Sequence, residues 1–211
     1  MNVYDINQNG EKYERLAVTG SNQWRPIQLQ PNGKPFGASW VPLVLCSAEP
    51  EDEGYPGPLP TADFTGIGGS RFGLRTRALE LDGDFFGRYG ELLPLETPKH
   101  FGPLKWFHCT TVIDALDESQ TIAERFDDGR MHGFDRLWFK PQMLREAQVF
   151  VVPQCKGYLL CTDTFKRHIE ALGLTGLRFT LKWSDEREGI ERINAWEKMA
   201  FKGSLPPIPV P

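Results

Sequence analysis

The chain has 211 residues, 40% of them hydrophobic and 25% charged, so it can bury a core without staples and is neither disordered nor fibrous. Its net charge of −4 arises in one run, where Glu49, Glu51, Asp52 and Glu53 stand without a base; the remaining 24 acids balance the 24 Lys and Arg. A balanced body argues against a general nucleic-acid surface, which needs clustered cations to displace counterions.

Residues 1–48 mix polar turns with short strand candidates, the clearest being "SWVPLVLC". "AEPEDEGYPGPLPT", 48–61, combines acids, Gly and four prolines and can form neither a helix nor an inner strand. "GIGGS", 66–70, has no Lys-Ser/Thr end, no preceding apolar strand and no phosphate-loop spacing, so it reads as a turn before a helix. In that helix Leu74, Ala78, Leu81 and Phe85 make a stripe of period 3.6, and Gly83 predicts an early end. "GELLPLETP" is an extended closing segment. "LKWFHCTTV" is a strand rich in aromatic and β-branched residues that runs into a carboxylate-rich turn at Asp114, Asp117 and Glu118. "ERFDDGRMHGFDRLWFK" reads as a hairpin turning at Asp128-Gly129, and "AQVFVVPQ" as a short strand.

The stretch 158–183 is the best patterned. "YLLC" is an apolar strand, and Thr162 or Asp163 can cap the helix that buries Phe165, Ile169 and Leu172. Gly173 suits a left-handed helix end, with Leu174 packing back. Leu177, Phe179, Leu181 and Trp183 then alternate with Arg178, Thr180 and Lys182, a strand buried on one face. Asp185 with Glu188 opens a further amphipathic helix, and "GSLPPIPVP" ends the chain as a polyproline-like tail. The expected class is α+β: a mixed, mainly antiparallel sheet with a few packed helices in one globular domain. Its parts are a β-rich arm over 1–65 carrying the acidic loop at 48–61, a main domain over 66–184, and a helix and tail over 185–211.

The start, "MNVYDINQNGEKYERL", lacks the basic head and apolar stretch of a secretory signal, and no segment approaches the ~18 apolar residues of a membrane span. Cys46, Cys109, Cys155 and Cys161 show no metal or redox spacing; Cys46 and Cys161, in apolar runs, read as small buried hydrophobes. These features predict a reduced, cytoplasmic protein without metal or cofactor.

Candidate chemistry is sparse. His108 and Cys109 are neighbours in a strand, so their side chains diverge and cannot form a nucleophile and base pair. Asp114, Asp117 and Glu118 lack calcium-loop spacing and read as turn and capping residues. His168 falls on the exposed side of its helix. The alternative to a binding protein is a small hydrolase or metal-dependent enzyme using Asp114, Asp117, Glu118 and His108. A third reading is assembly into a homo-oligomer through the last helix and tail.

The order of these segments resembles the immunity protein eleven family of bacterial polymorphic-toxin systems. The resemblance runs over residues 70–184, from the helix that leads into "GELLPL" through "DALDES", where Asp114, Leu116, Asp117 and Ser119 match a D-x-L-D turn followed by Ser. It continues through "LWFKPQMLREAQVFVVPQ" to "CTDTFKRHIEALGLTGLRFTLKW", with its L-T-G-L-x-F turn and closing strand. It implies a non-enzymatic protector that binds a delivered protein toxin, with no catalytic residues to transfer. The partner surface expected from charge is Glu49, Glu51, Asp52 and Glu53, joined by Asp127 and Asp128, since an acidic patch steers a basic toxin.

Overall fold

The computed structural model describes residues 1–19, 33–48, 59–68, 71–127 and 131–186. Its strands are β1 (Asn2–Gln8), β2 (Leu16–Val18), β3 (Leu45–Ser47), β4 (Phe64–Gly66), β5 (Phe72–Arg75), β6 (Gly90–Leu95) and β7 (Leu104–Cys109). They continue as β8 (Ile122–Arg125), β9 (Met131–Arg136), β10 (Val149–Val152), β11 (Cys155–Thr162) and β12 (Leu177–Ser184). Two α-helices occur among the described residues, α1 (Thr76–Gly87) and α2 (Asp163–Ala171). With antiparallel pairing throughout the named strands whose register is defined, this is a mixed α+β structure.

The chain divides into two compact units. The first takes Met1–Ile6, Val112–Arg167 and the chain from Phe179; the second takes Asn7–Thr111 and His168–Arg178. Residues 1–65 are thus shared, the first six in one unit and the rest in the other.

In the second unit β4, β5, β7 and β6 form a sheet in that order. The period of two along β7 decides what covers each face. Leu104 and Trp106 point to a cluster with Leu16, Val18, Phe36, Leu43, Leu45, Ile67, Leu93, Leu95 and Phe101. Phe107 points the other way and meets the rings of Phe72 and Phe86 at 6.0 and 4.8 Å. Truncating one such buried ring costs about 3–5 kcal/mol, so these rings hold α1 to the sheet.

The buried side of α1 is Ala78, Asp82, Phe85 and Phe86. This corrects the predicted stripe: Leu74 is already strand β5, and Leu81 is exposed. Gly83 does not end the helix, which runs on to Gly87. "GIGGS" precedes a strand rather than a helix, because β4 and β5 pair across it with Ile67 N donating to Arg71 O. "SWVPLVLC" follows a 3-10 turn at Gly37–Ser39 and yields only the start of the short β3, in which Leu45 faces inward and Cys46 outward. Cys46 is therefore exposed, against expectation, while Cys109 and Cys161 are buried.

The first unit contains the sheet β10-β11-β1-β12, with β1 between β11 and β12. Val3, Leu116, Phe139, Phe150, Leu160 and Trp183 share its core. On β12 only Phe179, Trp183 and Ser184 are fully buried, and Leu177 and Leu181 are half-buried. At the start of α2 the Thr162 hydroxyl donates to Ala147 O, and Asp163 accepts from Asn2 N, Asn2 Nδ2 and Tyr4 OH. The end of α2 is as predicted. Gly173 has φ of +61°, its N–H bonds Glu170 O at 3.0 Å, and Leu174 N reaches Ile169 O at 3.4 Å. The predicted helix after Asp185 and the tail lie outside the described residues.

Candidate functional site

In the first unit, residues 113–127 and 131–140 run antiparallel as a pair of arms. At their base Leu116 bridges Phe139, Asp117 N donates to Trp138 O, and Lys140 N donates to Ala115 O, each of the last two at 2.8 Å. Ala115, Leu116, Leu137 and Phe139 are buried in the core, so the base is fixed.

The "DALDES" turn builds outward from there. Asp117 Oδ1 accepts from the Ser119 hydroxyl at 2.6 Å and from Ser119 N at 3.1 Å, and Oδ2 accepts from Gln120 Nε2 at 3.0 Å. The Ser119 hydroxyl, then Gln120, holds this carboxyl below its usual range. Asp114 and Glu118 both accept from Gln154 Nε2, at 2.9 and 3.1 Å, and Glu118 pairs loosely with Arg125 at 3.4 Å. All of these partners are protein groups, and among the described residues no three His, Cys, Asp or Glu are arranged to hold a metal ion.

Beyond the base, β8 and β9 form a two-stranded ribbon. Ile122 is 56% exposed and Phe126 52%, and Glu124 and Asp127 are exposed as well. From 114 to 128 the acids are Asp114, Asp117, Glu118, Glu124, Asp127 and Asp128, against the single base Arg125, a larger negative balance than the −4 of the whole chain. Of the predicted partner residues Asp127 is therefore at the surface; Asp128, Glu49, Glu51, Asp52 and Glu53 lie outside the described residues. The strands of the predicted hairpin are present, while its Asp128-Gly129 turn also lies outside them.

The residues of the enzyme alternative are tied down. His108 is fully buried between Phe36 and Trp106, each ring centroid 4.9 Å away. Its Nε2 lies 2.8 Å from Lys34 O, and since a carbonyl only accepts, Nε2 carries the proton. Burial lowers the His108 pKa despite that carbonyl, which favours the neutral ring. Cys109 points away, its thiol 3.5 Å from Tyr89 O and pushed up to about 12 by burial. His108 and Cys109 belong to the second unit; Asp114, Asp117 and Glu118 belong to the first.

Two constellations in the second unit carried no predicted role. His168 is not a plain surface residue: it is 35% exposed, its Nε2 meets Asp82 Oδ1 at 2.7 Å, and its ring stacks on Phe85 at 4.6 Å. Asp82, 4% exposed, has its carboxyl pushed up by burial, an effect that His168 and Arg88 only partly oppose. At the other, Asp63 accepts from Thr175 N and Thr175 Oγ1, both at 2.8 Å, and from Arg77 at 2.9 Å. Burial works to raise the Asp63 pKa, but these Thr175 and Arg77 contacts outweigh it and hold the carboxyl low. Next to Thr175, Gly176 has φ of +105°, and any side chain there would collide with Phe64 O. The "LTGL" turn thus serves as a fastener between β4, α1 and the segment after α2. Thr175 was the one visible signal of it; nothing in the sequence marks Asp82.

Residues 99–181, less than half of the chain, match the model of the immunity protein family (Imm11). This lies inside the 70–184 span of the resemblance and takes in β7 through most of β12. No curated protein matches the chain. Among the described residues, no helix is long and apolar enough to cross a membrane.

Proposed function

We propose, from the match of residues 99–181 to an immunity protein family, that this chain binds a cognate protein toxin and blocks it before it acts. It does so in the cytoplasm of the cell that makes the toxin and of its siblings. That match is the observation on which the reading rests. Support comes from the tethered His108 and the protonated Cys109, since a tight inhibitor needs a rigid scaffold and a complementary surface rather than reactive groups.

The two acidic stretches are its contact residues: Glu49, Glu51, Asp52 and Glu53 in one, Asp127 and Asp128 in the other. A basic toxin approaching either is accelerated by the field, so charge reversal in a stretch that matters slows association at low salt. The test is co-expression with the product of the neighbouring reading frame. Co-purification and restored growth support the assignment; a pair that neither co-purifies nor restores growth removes it.

A further inference from the structure

On the reading that this chain neutralises a toxin by binding it, we infer that the toxin docks on the outer side of β8. Ile122 and Phe126 are the apolar anchors, and the toxin surface seated there is an apolar recess ringed by Lys and Arg.

Strand register sets the geometry. Ile122 faces Arg136 while Ala123 faces Phe134, and Glu124 faces Gly133 while Arg125 faces Met131. Each irregularity adds a residue to β9, so β8 keeps its alternation. Ile122, Glu124 and, one step past the strand, Phe126 therefore share a side, and half-buried Ala123 points away from it. A lone exposed apolar residue is ordinary. Two large ones on one side of a five-residue stretch, with a carboxylate between them, have the composition of a docking centre: apolar anchors inside polar groups that exclude water once covered.

Charge decides the occupant. Over the whole segment 114–140 seven acids stand against four bases, Arg125, Arg130, Arg136 and Lys140; Arg136 lies opposite Ile122 and Arg125 is answered by Glu118, and the balance that remains is negative and favours a cationic surface. A second copy of this chain would set the same net negative segment against itself. Strand-to-strand addition is disfavoured too, because bulges on β9 and charges on β8 blunt the ribbon edges. Side-chain docking of a basic partner is what remains.

The probe is the purified product of the neighbouring reading frame, with its toxic activity inactivated, titrated against the purified full chain. For the double variant Ile122→Ser with Phe126→Ser, affinity should fall at least about thirty-fold through faster dissociation. Unchanged melting is expected, since both side chains are exposed. For Glu124→Lys with Asp127→Lys, association should slow about tenfold at low salt and much less at high salt. If the wild type binds and both variants bind as well as it does, the inference is wrong and the proposed function stands. Loss of affinity in the first variant with a salt-independent rate in the second overturns the basic partner. A wild-type dimer that the first variant dissolves makes this face a self-interface and overturns the inference as well. Should the wild type fail to bind, the functional reading falls, and this surface with it.

Discussion

The "LTGL" turn and the β8–β9 ribbon both lie within the stretch that matches the immunity family, though the turn's partners Asp63, Phe64 and Arg77 precede it, and the two treat their side chains in opposite ways. At the turn each polar group is answered from inside the same unit: Asp63 takes two bonds from Thr175 and one from Arg77, and Gly176 leaves room for the Phe64 carbonyl. On the ribbon Ile122, Glu124, Phe126 and Asp127 face outward. Residues that fasten the fold and residues exposed at the surface therefore occupy different places, and variation at one need not disturb the other.

The largest effect that would break this contrast is Gly176→Ala. It forces a side chain into a positive-φ position and against a carbonyl, so a loss of about 3 kcal/mol or more is expected, seen as a lower denaturation midpoint. Asp63→Ala should cost about 2–3 kcal/mol, because Thr175 loses the acceptor of both its donors. The pH dependence has a definite sign. The folded Asp63 pKa lies below the unfolded one, so its contribution is present above about pH 4 and is lost as pH falls through the folded value. Denaturation of Asp63→Ala followed from pH 7 to pH 3 should show a shallower acid loss than the wild type.

Asp82 sharpens the comparison from the other side. Its folded pKa is raised, so its contribution is present below the unfolded pKa and is lost as pH rises through the folded one. Asp82→Asn, which keeps an acceptor for His168, should be neutral or stabilising by about 1 kcal/mol at pH 7 and should lose that gain at acid pH. Smallest is the double Ser variant at Ile122 and Phe126, whose stability should stay within about 0.5 kcal/mol of the wild type in urea. A ribbon variant that unfolds the protein would mean that the outward face is part of the core after all.

Where neighbours in sequence supply the partners, the fold was readable. The strand, helix and strand of 158–183, the Gly173 helix end and the pairing of β8 with β9 all follow from local period and turn chemistry. The readings that failed depend on distant residues. Asp82 is tolerated on the buried side of α1 only because His168, 86 residues away, meets it, so apolar periodicity chose Leu81 instead. Cys46 looked buried inside an apolar run, but the two-residue alternation of β3 sends it opposite Leu45. The acids of the candidate surface were visible as charge. Ile122 and Phe126 were not, because an exposed strand residue and a core one are the same letters until the other side of the sheet is known.

One further consequence lies in β1. Val3 sits opposite Thr162 and the strand is flanked by β11 and β12, so its neighbours leave the ribosome long after it does. At about 5–20 residues per second, the first strand waits roughly ten seconds or more for them. Until then its Val3 and Ile6 have no sheet to enter, and closing so long a loop makes the final step slow. Maturation of the first unit is thus expected to finish late, once β11 and β12 have been made.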